Sequence, residues 1–223
     1  MNDIEKFFSE NSVANNIFFS SGEKNLSVDG TGIVPSVDNI AAEKILIYIK
    51  NNYKYAKNIL DVGAGIGFLT KKADEMKNIL NINCYSLEGS KELVPDIKCD
   101  KSKYAVIDFS KKFTNKKLYK QFDLSTSFEV LEHVHRKHQD IFWENLQFVS
   151  KGHLCSIHVA NQEDNEHCCI RPLEEWVSYL KSKGKITILG KYPKNLDKEI
   201  HNFRQETGLN NWDCSIMLYI EFN

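Results

Sequence analysis

Apolar residues along this chain fall into short continuous runs and into longer stretches with helical spacing. The short runs predict seven strands, namely Asn58–Val62, Ile82–Leu87, Tyr104–Ile107, Phe122–Ser127, Leu154–Val159, Lys185–Leu189 and Cys214–Ile220. The longer stretches predict helices from about Asp38, over Phe68–Met76, over about Gln139–Val149 and over Pro172–Leu180. Because strands and helices alternate, the pattern predicts an α/β fold whose mostly parallel, seven-stranded sheet carries helices on both faces.

The first 35 residues lack this periodicity. They are polar and contain glycine, with aromatic pairs at Phe7–Phe8 and Phe18–Phe19. Two interpretations stay open: a disordered terminus, or a lid that closes over a substrate with the aromatic pairs as its anchors. The length of 223 residues suits one domain with a full core, so residues 36–223 are interpreted as a single domain after an extension at 1–35.

The net charge and the cysteines limit which binding partners and which cellular compartment are expected for the protein. The formal net charge of −1 gives no general basic surface and argues against a nucleic-acid partner. The six cysteines include no CxxC pair, and Met1–Glu10 lacks the apolar core of a signal peptide, so reduced thiols in the cytoplasm are expected. No apolar run is long enough to cross a bilayer, which predicts no membrane partner. The oligomeric state stays open.

A strand that runs into closely spaced glycines is the strongest local motif. The run ILDVGAGIG places Asp61 two residues before Gly63, and Gly65 and Gly67 complete a GxGxG spacing. Glycines permit a tight turn and close approach of a ligand to the backbone. The spacing differs from the GxGxxG fingerprint of dinucleotide sites, which disfavours a nicotinamide-dependent oxidoreductase.

With these residues the chain resembles class I methyltransferases over roughly residues 38–190. The resemblance implies a Rossmann-like fold and S-adenosyl-L-methionine as cofactor. It assigns to the methionine portion of the cofactor the residues Asp61, Gly63, Ala64, Gly65 and Gly67. It assigns Glu88, with Gly89, to the ribose hydroxyls, Asp108 to the adenine amino group and Phe109 to the face of the ring. A carboxylate suits a vicinal diol because it can accept two hydrogen bonds. Taken singly, Glu88 and Asp108 could also be helix caps or turn residues.

A second motif, FEVLEHV, follows the fourth predicted strand. On a helix, Glu129, Glu132 and His133 would share one face, since they stand at i, i+3 and i+4. Two carboxylates and an imidazole can bind manganese, iron, cobalt or zinc. The alternative is that these side chains only cap the helix, orient a neighbour or line a pocket.

The region beyond the fifth strand adds a further resemblance. After ExxEH come Asn161-x-Glu163-x-Asn165, then His167 and, nine residues later, Trp176. This order is similar to metal-dependent methyltransferases that modify the 2′-hydroxyl at the 3′ end of small RNAs. The resemblance implies a divalent metal (Mn, Fe, Co, Zn or Mg) on Glu129, Glu132, His133 and His167. The basic and aromatic RNA-gripping segments of that family are missing, and the intervening loop is shorter.

These departures favour a smaller acceptor over RNA. The expected activity is O-methyl transfer to a hydroxylated or phosphorylated small molecule, such as a sugar, a nucleotide-sugar or another glycan precursor of polysaccharide biosynthesis. Candidate proton acceptors are Glu132, His133 and His158, the last at the end of the fifth strand, where a core histidine is the alternative. His135, His138, His153 and His201 lie in polar stretches and are expected to be exposed. RNA 2′-O-methyl transfer and a non-catalytic cofactor-binding module remain the alternative functions.

Overall fold

A single sheet organises the computed structural model, which describes residues 1–15, 37, 39–159, 169–190 and 215–222. Its seven strands are β1 (Asn58–Val62), β2 (Asn83–Glu88), β3 (Tyr104–Val106), β4 (Leu124–Phe128), β5 (Gly152–His158), β6 (Lys185–Gly190) and β7 (Ser215–Glu221). The described helices are α1 (Asp3–Asn11), α2 (Asn39–Asn52), α3 (Phe68–Glu75), α4 (Lys77–Leu80), α5 (Arg136–Val149) and α6 (Leu173–Lys181).

The strand order places a topological switch point between the paired strands β1 and β4. The order is β3-β2-β1-β4-β5-β7-β6, and the first five strands in this order pair in parallel, whereas β7 runs antiparallel to β5 and β6. The chain thus progresses outwards from β1 to β3 and then returns to the other side of β1. Such a switch point leaves a crevice at the carboxyl ends of the strands, where ligands of open α/β sheets bind. The predicted mostly parallel, seven-stranded α/β sheet is confirmed.

Each face of the sheet is covered by helices. One apolar cluster contains residues of α1, α5 and α6, and the other contains residues of α2, α3 and α4. On α5, Phe142, Trp143, Leu146 and Val149 recur at helical spacing and are buried. Full burial of one such side chain contributes about 1.5–3 kcal/mol. The helix periodicity in the sequence therefore marked the surfaces that hold the layers together. No helix in the described ranges has the length and apolarity that crossing a membrane requires.

The start of the chain is part of this packing. Asn2 caps α1, since its side chain accepts a hydrogen bond from the Glu5 backbone at 2.8 Å. Phe7 and Phe8 are 2% and 1% exposed, and the Phe8 ring lies 4.7 Å from that of Tyr85 on β2. These residues form a docked helix. The lid interpretation of the extension stays a prediction, because residues 16–36, with Phe18–Phe19, lie outside the described ranges.

One sequence expectation about a histidine is wrong. His153 on β5 is fully buried, where exposure was predicted. Its Nδ1 lies 2.8 Å from the Ser125 Oγ and its Nε2 lies 2.9 Å from the Ser127 Oγ, both on the neighbouring strand β4. Burial lowers the pKa of His153 to about 3, so the ring is neutral. The two serines satisfy the ring's polar atoms and make its burial tolerable.

Candidate active site

The glycine loop after β1 lies at the crevice. Gly63, Gly65 and Gly67 have φ angles of +73°, +55° and +83°, a left-handed conformation that side chains disfavour. The backbone N–H groups of Gly63 and Ala64 donate to the Leu87 carbonyl at 2.9 and 3.1 Å, which ties the loop to the end of β2. A Cβ atom built on Gly65 meets no atom of the described residues within 4 Å. The loop therefore presents its backbone to open space.

Glu88 supports this loop from the end of β2. Its Oε2 accepts a hydrogen bond from the Gly65 N–H at 2.9 Å, and its Oε1 accepts one from the Ser90 N–H at 3.0 Å. Burial raises the pKa of Glu88, although hydrogen bonds from the backbones of Ser90, Gly65 and Gly89 oppose the shift. The structure thus gives Glu88 a positioning role that the sequence did not reveal. Its contact with ribose hydroxyls stays a prediction.

Asp61 lies deeper, on β1 itself. Its Oδ1 accepts a hydrogen bond of 2.7 Å from the Thr126 hydroxyl on β4, and the residue is 4% exposed. Burial and, to a smaller extent, the charge of Glu88 raise the pKa of Asp61 to about 7, against the opposing effect of the Thr126 hydrogen bond. The carboxyl group therefore bridges the two strands at the switch point.

Two further residues, Tyr104 and Cys99, contact the glycine loop. The buried Tyr104 hydroxyl donates to the Gly65 carbonyl, and a Cβ on Gly67 would lie 2.6 Å from the Cys99 Sγ. Neither Tyr104 nor Cys99 stood out in the sequence as part of the site. The only available signal was the position of Tyr104 at the start of a predicted strand.

The candidate adenine residues follow β3. Asp108 accepts hydrogen bonds from the Ser110 N–H at 3.0 Å and from its Oγ at 2.6 Å, and Lys111 lies 3.1 Å from its other oxygen. Burial alone would raise the pKa of Asp108, but these partners lower it. The Phe109 ring packs in the core, 5.8 Å from that of Phe142. The proposed contacts of Asp108 and Phe109 with adenine stay predictions.

The segment after β4 is not the predicted helix. Glu129 has a φ of +55°, and the following turn, Leu131–His133, is a short 3-10 helix. Glu129, Glu132 and His133 therefore do not share one face of an α-helix. The strand continues to Phe128, and the chain bends at Glu129, whose left-handed backbone does not belong in an α-helix.

The turn nevertheless brings two carboxyl groups together. The side chains of Glu129 and Glu132 are close enough to interact electrostatically, and Glu132 is fully buried. On β5, the Ser156 hydroxyl donates to Glu129 Oε1 at 2.6 Å, and the His158 backbone N–H donates to Glu132 Oε1 at 3.3 Å. Burial, and then the charge of Glu129, raises the pKa of Glu132. His133 directly follows Glu132 in the chain, His158 lies on β5, and both histidines are half-buried.

The predicted metal set is only partly within the described structure. His167 lies outside the described residues, and among those that are described no three His, Cys, Asp or Glu side chains are arranged to hold one ion. Glu129, Glu132 and His133 by themselves therefore do not fit a metal centre. The four-ligand set stays a prediction.

Comparisons with known proteins bear on the fold. Neither protein-family models nor curated protein sequences give a match. Among solved structures, the methyltransferase domain of bacterial CtHen1 is 13% identical, with a TM-score of 0.55 over 83% of this chain and 98% of that chain. The glycopeptide N-methyltransferase MtfA, complexed with S-adenosyl-L-methionine, is 10% identical, with a TM-score of 0.55 over 82% and 94%. The CMeT domain of the citrinin polyketide synthase is 12% identical, with a TM-score of 0.56 over 81% of this chain. This chain spans 52% of that last protein. At such identities the likeness establishes the fold.

Proposed function

We propose that this chain, which has the Rossmann-like fold of class I methyltransferases, is an S-adenosyl-L-methionine-dependent methyltransferase. The proposal rests mainly on the glycine loop. Its backbone at Gly65 borders open space in the described part of the chain, and Glu88 and Tyr104 fix that backbone by hydrogen bonds to the Gly65 N–H and carbonyl groups. The cofactor, when bound, supplies an electrophilic methyl group on a sulfonium.

The residues present fit this cofactor. Open space lies in front of both Gly65 and Gly89, so a ligand can approach the backbone at the ends of β1 and β2. The residues proposed to hold the cofactor are Asp61, Gly63, Ala64, Gly65, Gly67, Glu88, Gly89, Asp108 and Phe109. Of these, Asp61 and Glu88 also fix the shape of the loop, so their substitution is expected to affect binding partly through the backbone.

The acceptor is proposed to be a small hydroxylated molecule. Glu129, Glu132 and His158 lie at the carboxyl ends of β4 and β5, and their side chains can accept hydrogen bonds from hydroxyl groups. Two carboxyl groups would repel a phosphoryl group placed next to them, so we propose a sugar-like hydroxyl as the reacting group. The chain's task is to hold that oxygen in line and to accept its proton at Glu132, His158 or His133.

A divalent metal is a separate proposal. Cys169 follows His167 by two residues in the sequence, and its backbone N–H donates to the Glu132 carbonyl at 2.9 Å. The proposed ligand set adds His167, which lies outside the described residues, to Glu129, Glu132 and His133. Manganese is the first ion to test, because carboxylates and imidazole suit it.

The first experiment is calorimetric titration of S-adenosylhomocysteine into the full chain. Micromolar binding is expected. Glu88→Gln should weaken it about 10- to 100-fold, because the amide presents a donor to a backbone N–H, and a hydrogen bond to a charged group is worth about 1.5–3 kcal/mol. Glu174→Gln, on the exposed side of α6, is the matched control and should bind like the wild type. Absence of binding to the wild type would refute the proposal.

Methyl-transfer assays distinguish a small-molecule methyltransferase from an RNA methyltransferase and from a non-catalytic cofactor-binding module. Transfer of a labelled methyl group to monosaccharides, nucleotide-sugars and a single-stranded RNA is measured without and with manganese. Glu129→Ala should abolish transfer while cofactor binding is kept. Transfer to RNA alone would replace the small acceptor, and cofactor binding with no transfer to any acceptor would favour a non-catalytic module. Equal rates with manganese and with a chelator would refute the metal proposal.

A further inference from the structure

Glu129 has an unusual backbone for its residue type. With a φ of +55° it occupies the left-handed region, which L-residues other than glycine, asparagine and aspartate rarely adopt. Backbone strain of this kind persists where surrounding contacts impose it, and it is concentrated at functional sites. The contacts that impose it here come from the neighbouring strand.

Ser156 on β5 contacts Glu129 through both its backbone carbonyl and its hydroxyl group. The Glu129 backbone N–H donates to both the carbonyl and the hydroxyl oxygen of Ser156, each at 3.2 Å. The same hydroxyl donates to the Glu129 Oε1 at 2.6 Å. Ser156 itself is fully buried, and it pairs in register with Phe128, the residue before Glu129. One serine therefore fixes both the backbone and the carboxyl group of Glu129.

The two carboxyl groups of the pair differ in access. Glu132 is fully buried, whereas Glu129 is half-buried, so Glu129 is the more accessible of the two carboxyl groups. The Ser156 hydroxyl occupies one Glu129 oxygen and thereby fixes the orientation of the other. A serine placed only to fill the strand interior would not need bonds to both parts of the same residue.

We infer that Ser156 is a positioning residue for the acceptor site, holding Glu129 in its left-handed conformation and directing its carboxyl group toward the acceptor. The inference rests on the proposed methyltransferase function. Its distinguishing consequence is that Ser156 acts through Glu129 and leaves the glycine loop unaffected.

The test compares Ser156→Ala with Ser156→Thr, which keeps the hydroxyl, and with Ser127→Ala. Ser127 is an equally buried serine on β4 whose hydroxyl bonds to His153, so it controls for the loss of a buried hydrogen bond. Ser156→Ala should lower kcat about 10- to 100-fold, measured with whichever of the tested acceptors the wild type methylates. This range is expected for a lost hydrogen bond to a charged group. The affinity of Ser156→Ala for S-adenosylhomocysteine should stay within about twofold of the wild type, since the contacts of the glycine loop with Leu87, Glu88 and Tyr104 are unchanged. Ser156→Thr should restore most of kcat, and Ser127→Ala should leave it unchanged.

A double-mutant cycle shows whether Ser156 acts through Glu129. In a Glu129→Gln background, Ser156→Ala should cause little further loss, because coupled residues are not additive. An equal loss in both backgrounds, an unchanged kcat, or a loss confined to cofactor binding would overturn the inference.

Amide hydrogen exchange tests the positioning without turnover. Ser156→Ala should speed exchange of the Glu129 amide, and Ser127→Ala should not. A wild type without methyl transfer would refute the proposed function and the expected effect of Ser156 on kcat, and the exchange measurement would still decide whether Ser156 holds Glu129. This readout also applies if Ser156→Thr fails to fold.

Discussion

Substituting alanine at Gly63 and at Gly65 should separate two reasons for glycine in the loop. One is the positive φ angle, and the other is the lack of room for a side chain. Both glycines have positive φ angles, +73° and +55°. A Cβ on Gly63 would lie 2.5 Å and 2.8 Å from the two methyl carbons of Val130, whereas one on Gly65 would meet no atom within 4 Å in the part of the chain that the structure describes. Gly63→Ala therefore combines backbone strain with a steric clash, and Gly65→Ala introduces backbone strain alone.

The magnitudes follow from these contacts. A left-handed conformation costs an L-residue about 1–2 kcal/mol, and overpacking of a methyl group costs about 1–3 kcal/mol. Gly65→Ala should lower the free energy of unfolding by about 1–2 kcal/mol, and Gly63→Ala by about 2–5 kcal/mol. Gly89→Ala, with ordinary φ and no neighbour within 4 Å, is the control and should change stability least.

Urea unfolding and calorimetry together provide the assay. Gly63→Ala should have the lower unfolding midpoint, while Gly65→Ala should lose more affinity for S-adenosylhomocysteine per folded molecule, because its methyl group occupies the space proposed for the cofactor. The order of the two variants is thus reversed between stability and binding. Equal stability of Gly63→Ala and Gly65→Ala would refute the packing of Val130 against the loop.

Two further predictions concern stability. Phe8→Ala should lower the free energy of unfolding by about 3–5 kcal/mol, as for other buried aromatic residues, since Phe8 is 1% exposed; a loss below about 1 kcal/mol in urea unfolding would mean that α1 is not docked in solution. The second is a pair of opposed pH effects, read from unfolding between pH 3 and 7. The pKa of Asp61 is raised from 3.8 to about 7, so its contribution to stability is present below pH 3.8 and lost as the pH rises to about 7; Asp61→Asn should gain stability relative to wild type over that rise. The pKa of His153 is lowered from 6.5 to about 3, so its contribution is present above pH 6.5 and lost as the pH falls to about 3; His153→Gln should lose less stability than wild type on acidification. Parallel pH curves for either variant and the wild type would contradict the corresponding assignment.

The sequence predicted best what depends on neighbouring residues. The apolar run of β1 and the glycines after it are local features, and the structure has the strand and the left-handed turns where the sequence indicated them. Helix α5 begins at Arg136, three residues before its predicted start, because the His135 side chain accepts a hydrogen bond from the Lys137 N–H at 3.3 Å. Pro172 directly precedes α6, in agreement with its prediction as a helix start.

The sequence failed where strands that are distant along the chain determine the environment. His153 was predicted as exposed because its own neighbours are polar, whereas its partners Ser125 and Ser127 are on another strand. The spacing of those serines by two residues on one strand face was the available signal. The i, i+3, i+4 spacing of Glu129, Glu132 and His133 predicted a helix, but the bonds from Ser156 impose a turn instead. Such pairings depend on the strand order, which periodicity does not specify.

The interior position of β7 has a consequence for biosynthesis. β7 is the last described strand in chain order, yet it lies between β5 and β6 and pairs with both. While the ribosome is still translating the preceding residues, β5 has an unpaired edge and β6 has no partner in the described sheet. Exposed edges of this kind invite pairing with other chains. The nascent polypeptide is therefore expected to be vulnerable to pairing with other chains until residues 215–221 have left the ribosome.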